Sequence, residues 1–311
     1  MSKWTVKQIP PQNGRLVIIT GANSGIGFET AVALAGSGAH VIMACRNTQK
    51  AETAADAIRK RHGQAKLSVM KLDISDLDSV RDFAEQVRNQ HKQLHLLINN
   101  AGVMGGPEIS RTRHGFESQF GTNHLGHFAL TGLLLPLLTN TPGSRIVVVS
   151  SIAHTKAKNG LNLDDPNFEN SEYSLFDAYA KSKLANLTFM FELNRRLLSS
   201  QYDVRAVGAH PGYTASNITS GANPEDSKIK SFLAWLGNVT IAMPTAKGAL
   251  PTLYAATDSS INGGEHIGPK GPLQFWGWPS DMPCSQAARD PAAGSRLWQI
   301  SQDLTGVQYL S

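Results

Sequence analysis

Short apolar runs alternate with longer amphipathic stretches over most of the chain. The runs have strand length and are rich in β-branched residues, whereas the stretches between them carry apolar residues at helical spacing. The predicted strands are residues 16–20, 40–44, 67–72, 94–99, 145–150 and 204–209, and the predicted helices are 26–36, 49–61, 77–89, 115–138 and 178–199. Strands that are apolar on both faces and separated by helices indicate a parallel sheet covered on both sides. We therefore predict a doubly wound α/β fold in one domain.

Three regions depart from this alternation, and they are candidates for a substrate site. Residues 155–176 form a long polar-to-mixed insertion, residues 212–243 follow the sixth predicted strand, and the tail 268–311 is rich in Pro, Gly and Trp and need not belong to the sheet. In open α/β sheets ligands bind beyond the carboxyl ends of the strands, and long loops often carry function. An apolar patch in the second region is either a lid over a lipophilic substrate or a helix packed on the core; it comprises Phe232, Leu233, Trp235, Leu236, Ile241 and Met243.

Composition narrows the class of protein. The chain has 311 residues, of which 41% are hydrophobic and 17% charged, so it can bury a large core and is not disordered. No apolar run is long enough for a transmembrane segment, and the N-terminal stretch lacks the apolar core of a signal peptide. Cys45 and Cys284 are too few for a disulfide framework or a Cys-rich zinc site, and they favour a reducing cytoplasm. The net charge of +5 is mild and dispersed, which argues against nucleic acid as a partner.

The segment TGANSGIG, residues 20–27, follows the first predicted strand and opens the first predicted helix. Its glycines at 21, 25 and 27 allow a tight turn, a close backbone approach and close packing of the helix on the sheet. The helix N-terminus then directs N–H groups and the positive end of its dipole at a pyrophosphate. This context indicates a dinucleotide site, although a glycine-rich turn without a ligand has the same local sequence.

The residues after the second predicted strand bear on which dinucleotide binds. An NAD site usually places an acid there to hold the ribose 2′-hydroxyl. Here Cys45, Arg46 and Asn47 follow the strand, and the first acid is Glu52. A carboxylate would repel a 2′-phosphate, whereas a guanidinium can bind it through several donors. We therefore predict NADP(H), with Arg46 at the 2′-phosphate and Asn47 beside it; the alternative is a solvated loop arginine.

Tyr179 and Lys183 lie four residues apart on a predicted helix, so both side chains share one face. Ser150 and Ser151 end the fifth predicted strand, at the edge where chemistry is expected. A neighbouring ammonium and a positive nicotinamide ring favour the phenolate and are expected to lower the pKa of Tyr179. Tyr179 would then donate a proton to a carbonyl or remove one from an alcohol, and a serine hydroxyl would hold the same oxygen. Without the glycine loop, the same spacing would fit a solvated helix face.

Tyr173 serves as an internal comparison for Tyr179. The residue four positions after Tyr173 is Asp177 instead of a lysine. A carboxylate disfavours a phenolate, so we expect the pKa of Tyr173 to be raised and Tyr173 to take no part as acid or base.

Seven segments occur along the chain in a fixed order: TGANSGIG, LDIS with Asp73, NNAG at 99–102, TNHLGHF with Asn123, VVVSS, YAKSK and HPG at 210–212. In this combination and order they resemble the short-chain dehydrogenase/reductase family over roughly residues 15–215. The resemblance implies a Rossmann-type sheet of about seven strands and hydride transfer at nicotinamide C4. Family members are often dimers or tetramers, so a homo-oligomer is also implied.

The resemblance also assigns roles to residues. Asn123 would hold a water in a proton relay, Ser151 would polarise the substrate, Tyr179 would be the acid/base and Lys183 would bind the nicotinamide ribose. Residues 15–150 would mainly bind the cofactor, and residues 151–311 would carry the Tyr/Lys helix, the substrate loops and the tail. The cofactor would further be bound by Gly21, Asn23, Ser24, Gly25, Ile26 and Gly27 at the pyrophosphate and adenosine, Asp73 and Ile74 at the adenine, Asn100, Ala101 and Gly102 at the ribose, and Pro211, Gly212 and Thr214 at the nicotinamide end.

Three features are most similar to the retinol dehydrogenase-like branch of the family: ACRN after the second strand, TNHLGHF, and the insertion before Tyr179. This branch also resembles WW-domain-containing oxidoreductase and, more distantly, protochlorophyllide reductase. The resemblance implies an NADP(H)-dependent oxidoreductase that acts on apolar aldehydes, ketones or the matching alcohols. The alternatives are an NADP(H)-binding sensor or scaffold protein without chemistry, and a protochlorophyllide-type reductase.

Two departures from the family pattern limit what can be transferred. Twenty-seven residues separate Ser151 from Tyr179, so the geometry of the substrate pocket cannot be borrowed from ordinary members. The sequence also lacks the membrane anchor of many retinol dehydrogenases, which argues against a retinoid dissolved in a membrane.

Three histidines near these segments are interpreted as structural. His124 and His127 are spaced as metal ligands on a helix can be, but no third ligand is nearby and the flanking residues are apolar or small. We therefore predict packing roles for them and no metal site. His210, which precedes Pro-Gly, is predicted to be structural and not a general base.

Overall fold

The computed structural model describes residues 3–157, 159–214 and 242–310. The strands are β1 (Leu16–Thr20), β2 (His40–Cys45), β3 (Lys66–Lys71), β4 (Leu96–Asn99), β5 (Ser144–Val149), β6 (Val204–Ala209), β7 (His266–Pro269) and β8 (Pro279–Asp281). The α-helices are α1 (Gly25–Gly36), α2 (Thr48–Arg61), α3 (Leu77–Gln90), α4 (Ser118–Phe120), α5 (Gly126–Thr139), α6 (Leu175–Ser199), α7 (Thr245–Gly248), α8 (Leu250–Thr257) and α9 (Pro291–Thr305).

The strands form one sheet in the order β3-β2-β1-β4-β5-β6-β7-β8. Neighbours from β3 to β7 run parallel, which confirms the predicted parallel sheet. The sheet has eight strands instead of about seven, because the tail turns back and β8 pairs antiparallel with β7. The tail, which the sequence allowed to lie outside the sheet, therefore supplies its last strand.

Each face of the sheet buries its own hydrophobic core, as the strand pattern predicts. Along β1, Leu16 and Ile18 face one core, and Val17 and Ile19 face the other. The first core includes apolar residues of α3, α5, α6 and α9, and the second includes those of α1, α2 and α8. Helices thus cover both faces of the sheet, which confirms the doubly wound α/β class.

The predicted helix 115–138 is divided in the structure. It begins at Ser118, because the Glu117 carboxylate accepts hydrogen bonds from the Gln119 and Phe120 amides at 2.9 and 2.7 Å and so caps the first turn. A π-helical turn, Gly121–Leu125, then joins α4 to α5. A π turn inserts one residue into the repeat, a change that the apolar spacing does not encode.

The apolar patch at 232–243 falls mostly outside the described residues. Phe232, Leu233, Trp235, Leu236 and Ile241 lie there, whereas Met243 is described and buried. The Met243 amide donates to the carbonyl oxygen of the loop residue 213 at 2.8 Å. Among the helices that the structure describes, none has the length and apolar character needed to cross a bilayer.

Candidate active site

A cleft of about 1100 Å³ opens at the carboxyl edge of the sheet. The strand order changes direction between β1 and β4, and this is where open α/β sheets bind their ligands. The structure brings most of the predicted site residues to this cleft. Those lining it are Gly21, Asn23, Ser24, Gly25, Ile26, Gly27, Arg46, Asp73, Ile74, Asn100, Ala101, Gly102, Ser151, Tyr179, Lys183, Pro211, Gly212 and Thr214.

The glycine loop forms one end of the cleft. Gly21 and Gly25 adopt φ of +67° and +58°, a conformation that L side chains rarely take. A Cβ on Gly27 would lie 2.5 Å from both the Gly21 carbonyl oxygen and Asn100 Nδ2, so only glycine allows α1 to approach the loop this closely. Ser24 starts α1 without a side-chain hydrogen bond to cap it, which leaves the first amides of α1 for a ligand.

Gly27→Ala is expected to lower the free energy of unfolding by about 1–3 kcal/mol, the usual cost of overpacking, and to weaken NADPH binding. The added methyl group must push apart the loop and α1. Denaturant unfolding and NADPH titration measure the two effects. Gly63→Ala is the matched control, because a Cβ at Gly63 meets no atom within 4 Å. Equal losses in both variants would contradict the close approach at Gly27.

Arg46 lies at the rim of the cleft, directly after β2. Its side chain is 76% exposed, and its guanidinium is 4.0 Å from the Asp73 carboxylate. The other oxygen of Asp73 accepts hydrogen bonds from the Ser75 amide and hydroxyl at 3.0 and 2.6 Å. An exposed pair at this distance contributes little, so Arg46 remains available to an anion in the cleft.

Asn47 and Asn123 are the two predicted site residues that do not line the cleft. Asn47 is the N-cap of α2, and its side-chain oxygen accepts from the Lys50 amide at 2.9 Å. Asn123 lies fully buried in the π-helical turn. Its side-chain oxygen accepts from the Val103 amide at 2.8 Å, and its Nδ2 donates to the Val103 carbonyl at 3.0 Å and to Ser182 Oγ at 2.9 Å. Asn123 thus ties the loop after β4 to α6.

Thr20 and His127 hold the backbone around the cleft by hydrogen bonds, a role that was not predicted for them from the sequence. Thr20 Oγ1 accepts hydrogen bonds from the Asn100 and Ala101 amides at 2.9 and 2.8 Å. It also lies 2.9 Å from His127 Nε2, while His127 Nδ1 lies 3.0 Å from the Asn123 carbonyl oxygen. Since a carbonyl can only accept, His127 carries its proton on Nδ1 and accepts the Thr20 hydroxyl proton at Nε2. The only sequence signal for this link is a polar residue at the last position of β1.

The structure distinguishes the two serines after β5. Ser150 is buried, and its hydroxyl donates to the Lys183 carbonyl at 2.7 Å, so it anchors α6 to the sheet. Ser151 lines the cleft, as Tyr179 does, and its hydroxyl favours the phenolate form of Tyr179. Of the two serines, Ser151 is therefore the one that faces the cleft.

Tyr179 and Lys183 share one face of α6, as their spacing predicts. Tyr179 is 9% exposed, and Lys183 Nζ lies 5.7 Å from the centre of its ring. Nζ donates one long hydrogen bond, of 3.5 Å, to the Val149 carbonyl. A Cβ on Gly102 would lie 3.1 Å from Nζ, so this glycine leaves room for the ammonium. A buried ammonium with three donors and one long bond suits a ligand that brings hydroxyl groups.

Burial dominates the protonation of this pair. It lowers the pKa of Lys183 to about 8. Burial also raises the pKa of Tyr179, and the hydrogen bond from Ser151 opposes that shift. The sequence predicted a lowered pKa for Tyr179. That prediction is not confirmed, because burial of the phenol outweighs the Ser151 bond in the protein alone.

Tyr173 behaves as the sequence comparison predicts, but for a different reason. Burial and the nearby Glu117 carboxylate raise the pKa of Tyr173. Asp177, which the sequence comparison invoked, instead pairs with Lys181 at 2.9 Å. The Tyr173 hydroxyl accepts from Gln119 Nε2 at 3.2 Å.

The predicted structural histidines are buried and hydrogen-bonded. His124 Nε2 lies 2.8 Å from Ser301 Oγ. His210 Nδ1 accepts from the Gly212 amide at 3.2 Å, and its Nε2 donates to Gln274 Oε1 at 2.9 Å. Burial lowers the pKa of His210 to about 4, which keeps it neutral at pH 7.

One surface trio among the described residues has the geometry of metal ligands. Asp76, Asp78 and His114 place one ligand atom each within 4.8 Å of one another. Arg113 already binds this trio, with its guanidinium 3.1 Å from Asp76 and 3.8 Å from Asp78. His124 and His127 are not part of it.

Comparison with known proteins agrees with this geometry. Residues 15–163 match the family model for short chain dehydrogenase. Retinol dehydrogenase 12 of Mus musculus is 42% identical over 304 residues, which are 97% of this chain and 89% of that protein. Retinol dehydrogenase 11 of Homo sapiens is 40% identical over 300 residues, 94% of this chain and 86% of that protein. The crystal structure of an uncharacterized protein from Mycobacterium Paratuberculosis has a TM-score of 0.81 at 40% identity and covers 99% of both chains.

Proposed function

This chain belongs to the short-chain dehydrogenase family and is an oxidoreductase, and from that premise we propose that it uses NADP(H) to interconvert apolar aldehydes or ketones and the matching alcohols. The observation that carries the proposal is the convergence of Ser151, Tyr179 and Lys183 on a cleft that begins at a glycine loop. The cleft residues fit a dinucleotide, since the glycines leave a cradle beside the open N-terminus of α1 and Lys183 keeps unused donors.

The mechanism follows from these contacts. When bound, the nicotinamide cofactor supplies or accepts the hydride. The Ser151 hydroxyl orients the substrate oxygen toward Tyr179. In reduction the Tyr179 phenol gives its proton to the carbonyl oxygen, and in oxidation the Tyr179 phenolate takes the proton of the alcohol. The Lys183 ammonium would hold ribose hydroxyls, and its charge beside the Tyr179 ring favours the phenolate. Asn123 keeps the loop after β4 against α6, and since its side chain is engaged by Val103 and Ser182 its part in the site is to hold that loop.

The proposed class of substrate rests on the apolar side chains that line the cleft and on the similarity to the relatives. Phe176 and Tyr213 line the cleft and are 49% and 39% exposed, and Met104 and Phe275 line it as well. Exposed aromatic side chains at a cleft suit an apolar ligand. Because the relatives include retinol dehydrogenases, retinal and retinol are the first candidates within this class.

The test is NADPH oxidation, in parallel with NADH oxidation, against apolar aldehydes, ketones, quinones and retinal. Turnover with NADPH preferred is the expected result. Tight NADPH binding without turnover across the panel would favour a sensor or scaffold protein instead. Light-dependent turnover of a tetrapyrrole would favour a protochlorophyllide-type reductase. Failure to bind either nucleotide would overturn the proposal.

Arg46→Ala is expected to raise the dissociation constant for NADPH by about 10- to 100-fold, the worth of a hydrogen-bonded charge, and to leave that for NADH nearly unchanged. The guanidinium lies at the rim of the cleft and holds only a loose ion pair with Asp73, which leaves its donors available to a 2′-phosphate. Nucleotide titration by fluorescence measures both constants. Arg88→Ala on α3 removes the same charge from an exposed position outside the cleft and serves as control. Equal weakening of NADPH and NADH by Arg46→Ala would remove Arg46 from the 2′-phosphate.

The same proposal includes which part of the chain forms each end of the cleft and in which cellular compartment the protein acts. Residues 15–150 contribute mainly to the cofactor end of the cleft and residues 151–311 to its catalytic end, within one domain built on a single sheet. Cys45 and Cys284 are both free thiols, which supports a reducing compartment, the cytoplasm, as the site of action.

A further inference from the structure

Three buried histidines lie together next to the turn that begins at Ser151, and none of them lines the cleft. His154 and His266 meet edge to face at 5.3 Å between ring centres, and His266 stacks on His210 at 5.0 Å. All three are at most 1% exposed. The proposed reaction uses none of them, so their arrangement calls for another explanation.

Both ring nitrogens of His154 are engaged, and their roles are fixed by their partners. Nδ1 lies 2.7 Å from the carbonyl oxygen of Ser151, which can only accept. Nε2 lies 3.2 Å from the backbone nitrogen of Ser285, which can only donate. His154 is therefore the neutral tautomer with its proton on Nδ1, and burial lowers its pKa in agreement with this.

Residues 282–285, which His154 Nε2 contacts through the Ser285 amide, are themselves hydrogen-bonded to the sheet. The Met282 amide donates to the carbonyl oxygen of His266 in β7 at 2.8 Å, and His266 Nδ1 lies 3.3 Å from the Met282 carbonyl oxygen. Gln274 Nε2 donates to the Pro283 carbonyl at 3.0 Å. His154 thus connects a rigid part of the C-terminal region to the backbone of Ser151.

The carbonyl of Ser151 receives two hydrogen bonds from His154, one from its backbone amide at 3.0 Å and a shorter one from its imidazole at 2.7 Å. Ser151 Oγ accepts from the Ala153 amide at 3.2 Å, so the position of this hydroxyl in the cleft follows from the turn that begins at Ser151. The Ser151 carbonyl, held by His154, fixes the other side of the same residue. Without the imidazole, nothing else among the described residues bridges this carbonyl to residues 282–285.

We propose that His154 is a positioning residue for Ser151: its Nδ1–H holds the Ser151 carbonyl, and the Ser285 amide keeps the imidazole oriented for that bond, so that the Ser151 hydroxyl faces Tyr179 and the substrate oxygen. The proposal rests on the proposed function, because it assigns Ser151 to the reacting end of the cleft. The C-terminal region takes part only through the Ser285 amide, which orients the imidazole, and it contributes no side chain to the proton transfer.

The test compares His154→Asn with His154→Gln. Each of these variants can retain one of the two hydrogen bonds that the imidazole makes. Asn places an amide nitrogen near the position of Nδ1, whereas Gln places its amide near Nε2. His154→Asn, which retains a donor for the Ser151 carbonyl, is expected to keep kcat within about threefold. His154→Gln is expected to lower kcat about 10- to 100-fold, as misplacement of a reacting group does, with KM for NADPH unchanged. The probe is NADPH-dependent reduction of retinal, or of the best aldehyde in the panel.

A second readout does not depend on turnover. Tyrosine ionisation followed by ultraviolet difference spectroscopy, with Tyr179→Phe subtracted, is expected to show a higher pKa for Tyr179 in His154→Gln than in His154→Asn. The reason is that Ser151 no longer holds the phenolate. If the wild-type protein shows no turnover, the proposed function fails, while this titration still decides the role of His154.

His95→Gln is the control for general loss of stability. His95 accepts from the Leu16 amide at 3.1 Å at the start of β1, the end of the sheet opposite the cleft. The His95→Gln variant is expected to have a lower melting temperature and an unchanged kcat and pKa of Tyr179. The proposal is overturned if His154→Gln behaves like His95→Gln, or if His154→Asn and His154→Gln lose kcat equally.

Discussion

Tyr179→Phe is expected to lower kcat by about 10²- to 10⁴-fold, the range that a positioned acid or base contributes, while NADPH binding stays within a few-fold of wild type. The substitution removes one oxygen from a side chain that is 9% exposed and leaves the ring in its packed position. Since Lys183 and the glycine loop are untouched, the cofactor end of the cleft keeps its contacts. Turnover is measured by NADPH oxidation and binding by NADPH fluorescence.

Tyr173→Phe provides the matched control. Tyr173 lies on the insertion that precedes α6. Its variant also loses a hydroxyl, but that hydroxyl accepts from Gln119, and no lysine among the described residues donates to it. Its variant is expected to keep kcat within a few-fold. An active Tyr179→Phe enzyme would show that another group transfers the proton, and a Tyr173→Phe enzyme as inactive as Tyr179→Phe would point to disturbance of the insertion.

The protein is expected to lose on the order of 5 kcal/mol of its free energy of unfolding between pH 7 and pH 5. Four histidines contribute most to this loss, because burial lowers the pKa of His124 to about 3, of His127 and His210 to about 4, and of His266 to about 2. Each binds a proton near pH 6.5 when unfolded but stays neutral when folded. Stability is therefore fully present above the unfolded value and is lost as the pH falls through it. The buried carboxyl of Glu117, whose pKa is raised, acts in the opposite direction but is a single group.

Urea unfolding at pH 7, 6 and 5 measures this loss. His124→Gln is the informative variant, because its amide can still reach Ser301 while one buried titrating group is removed. It is expected to reduce the dependence of the unfolding free energy on pH by about a quarter, one histidine in four. A free energy that is the same at pH 7 and pH 5 would mean that the four imidazoles are hydrated in the folded protein.

The regular part of the fold could be predicted because its strands and helices are defined by local pattern. β1 and β6 have the predicted bounds, and β2 to β5 differ by one or two residues at their ends. What the pattern could not give is the π-helical turn and β8. The π turn accompanies long-range bonds of Asn123 to Val103 and Ser182, and β8 is a three-residue strand made by pairing with β7. Both depend on contacts between residues far apart in the chain.

The candidate site divides in the same way. Spacing along one helix was enough to pair Tyr179 with Lys183, and the glycine loop was visible from its context. Spacing could not decide between Ser150 and Ser151, because that choice depends on which hydroxyl donates to the Lys183 backbone carbonyl. The direction of the pKa shift of Tyr179 also escaped the sequence, because it depends on how deeply the folded chain buries the phenol. His154 escaped it too, since Ser285 is 131 residues away.

The two edge strands of the sheet, β3 and β8, influence whether the protein aggregates at high concentration. An unpaired strand edge offers free amides and carbonyls to another chain and can start aggregation. β8 begins with Pro279, which has no amide hydrogen, and spans only three residues. β3, at the opposite side, carries the exposed lysines Lys66 and Lys71 at its two ends. Deleting residues 279–281 would uncover the edge of β7, and the shortened protein would then be prone to pair edge to edge with a strand of a second copy.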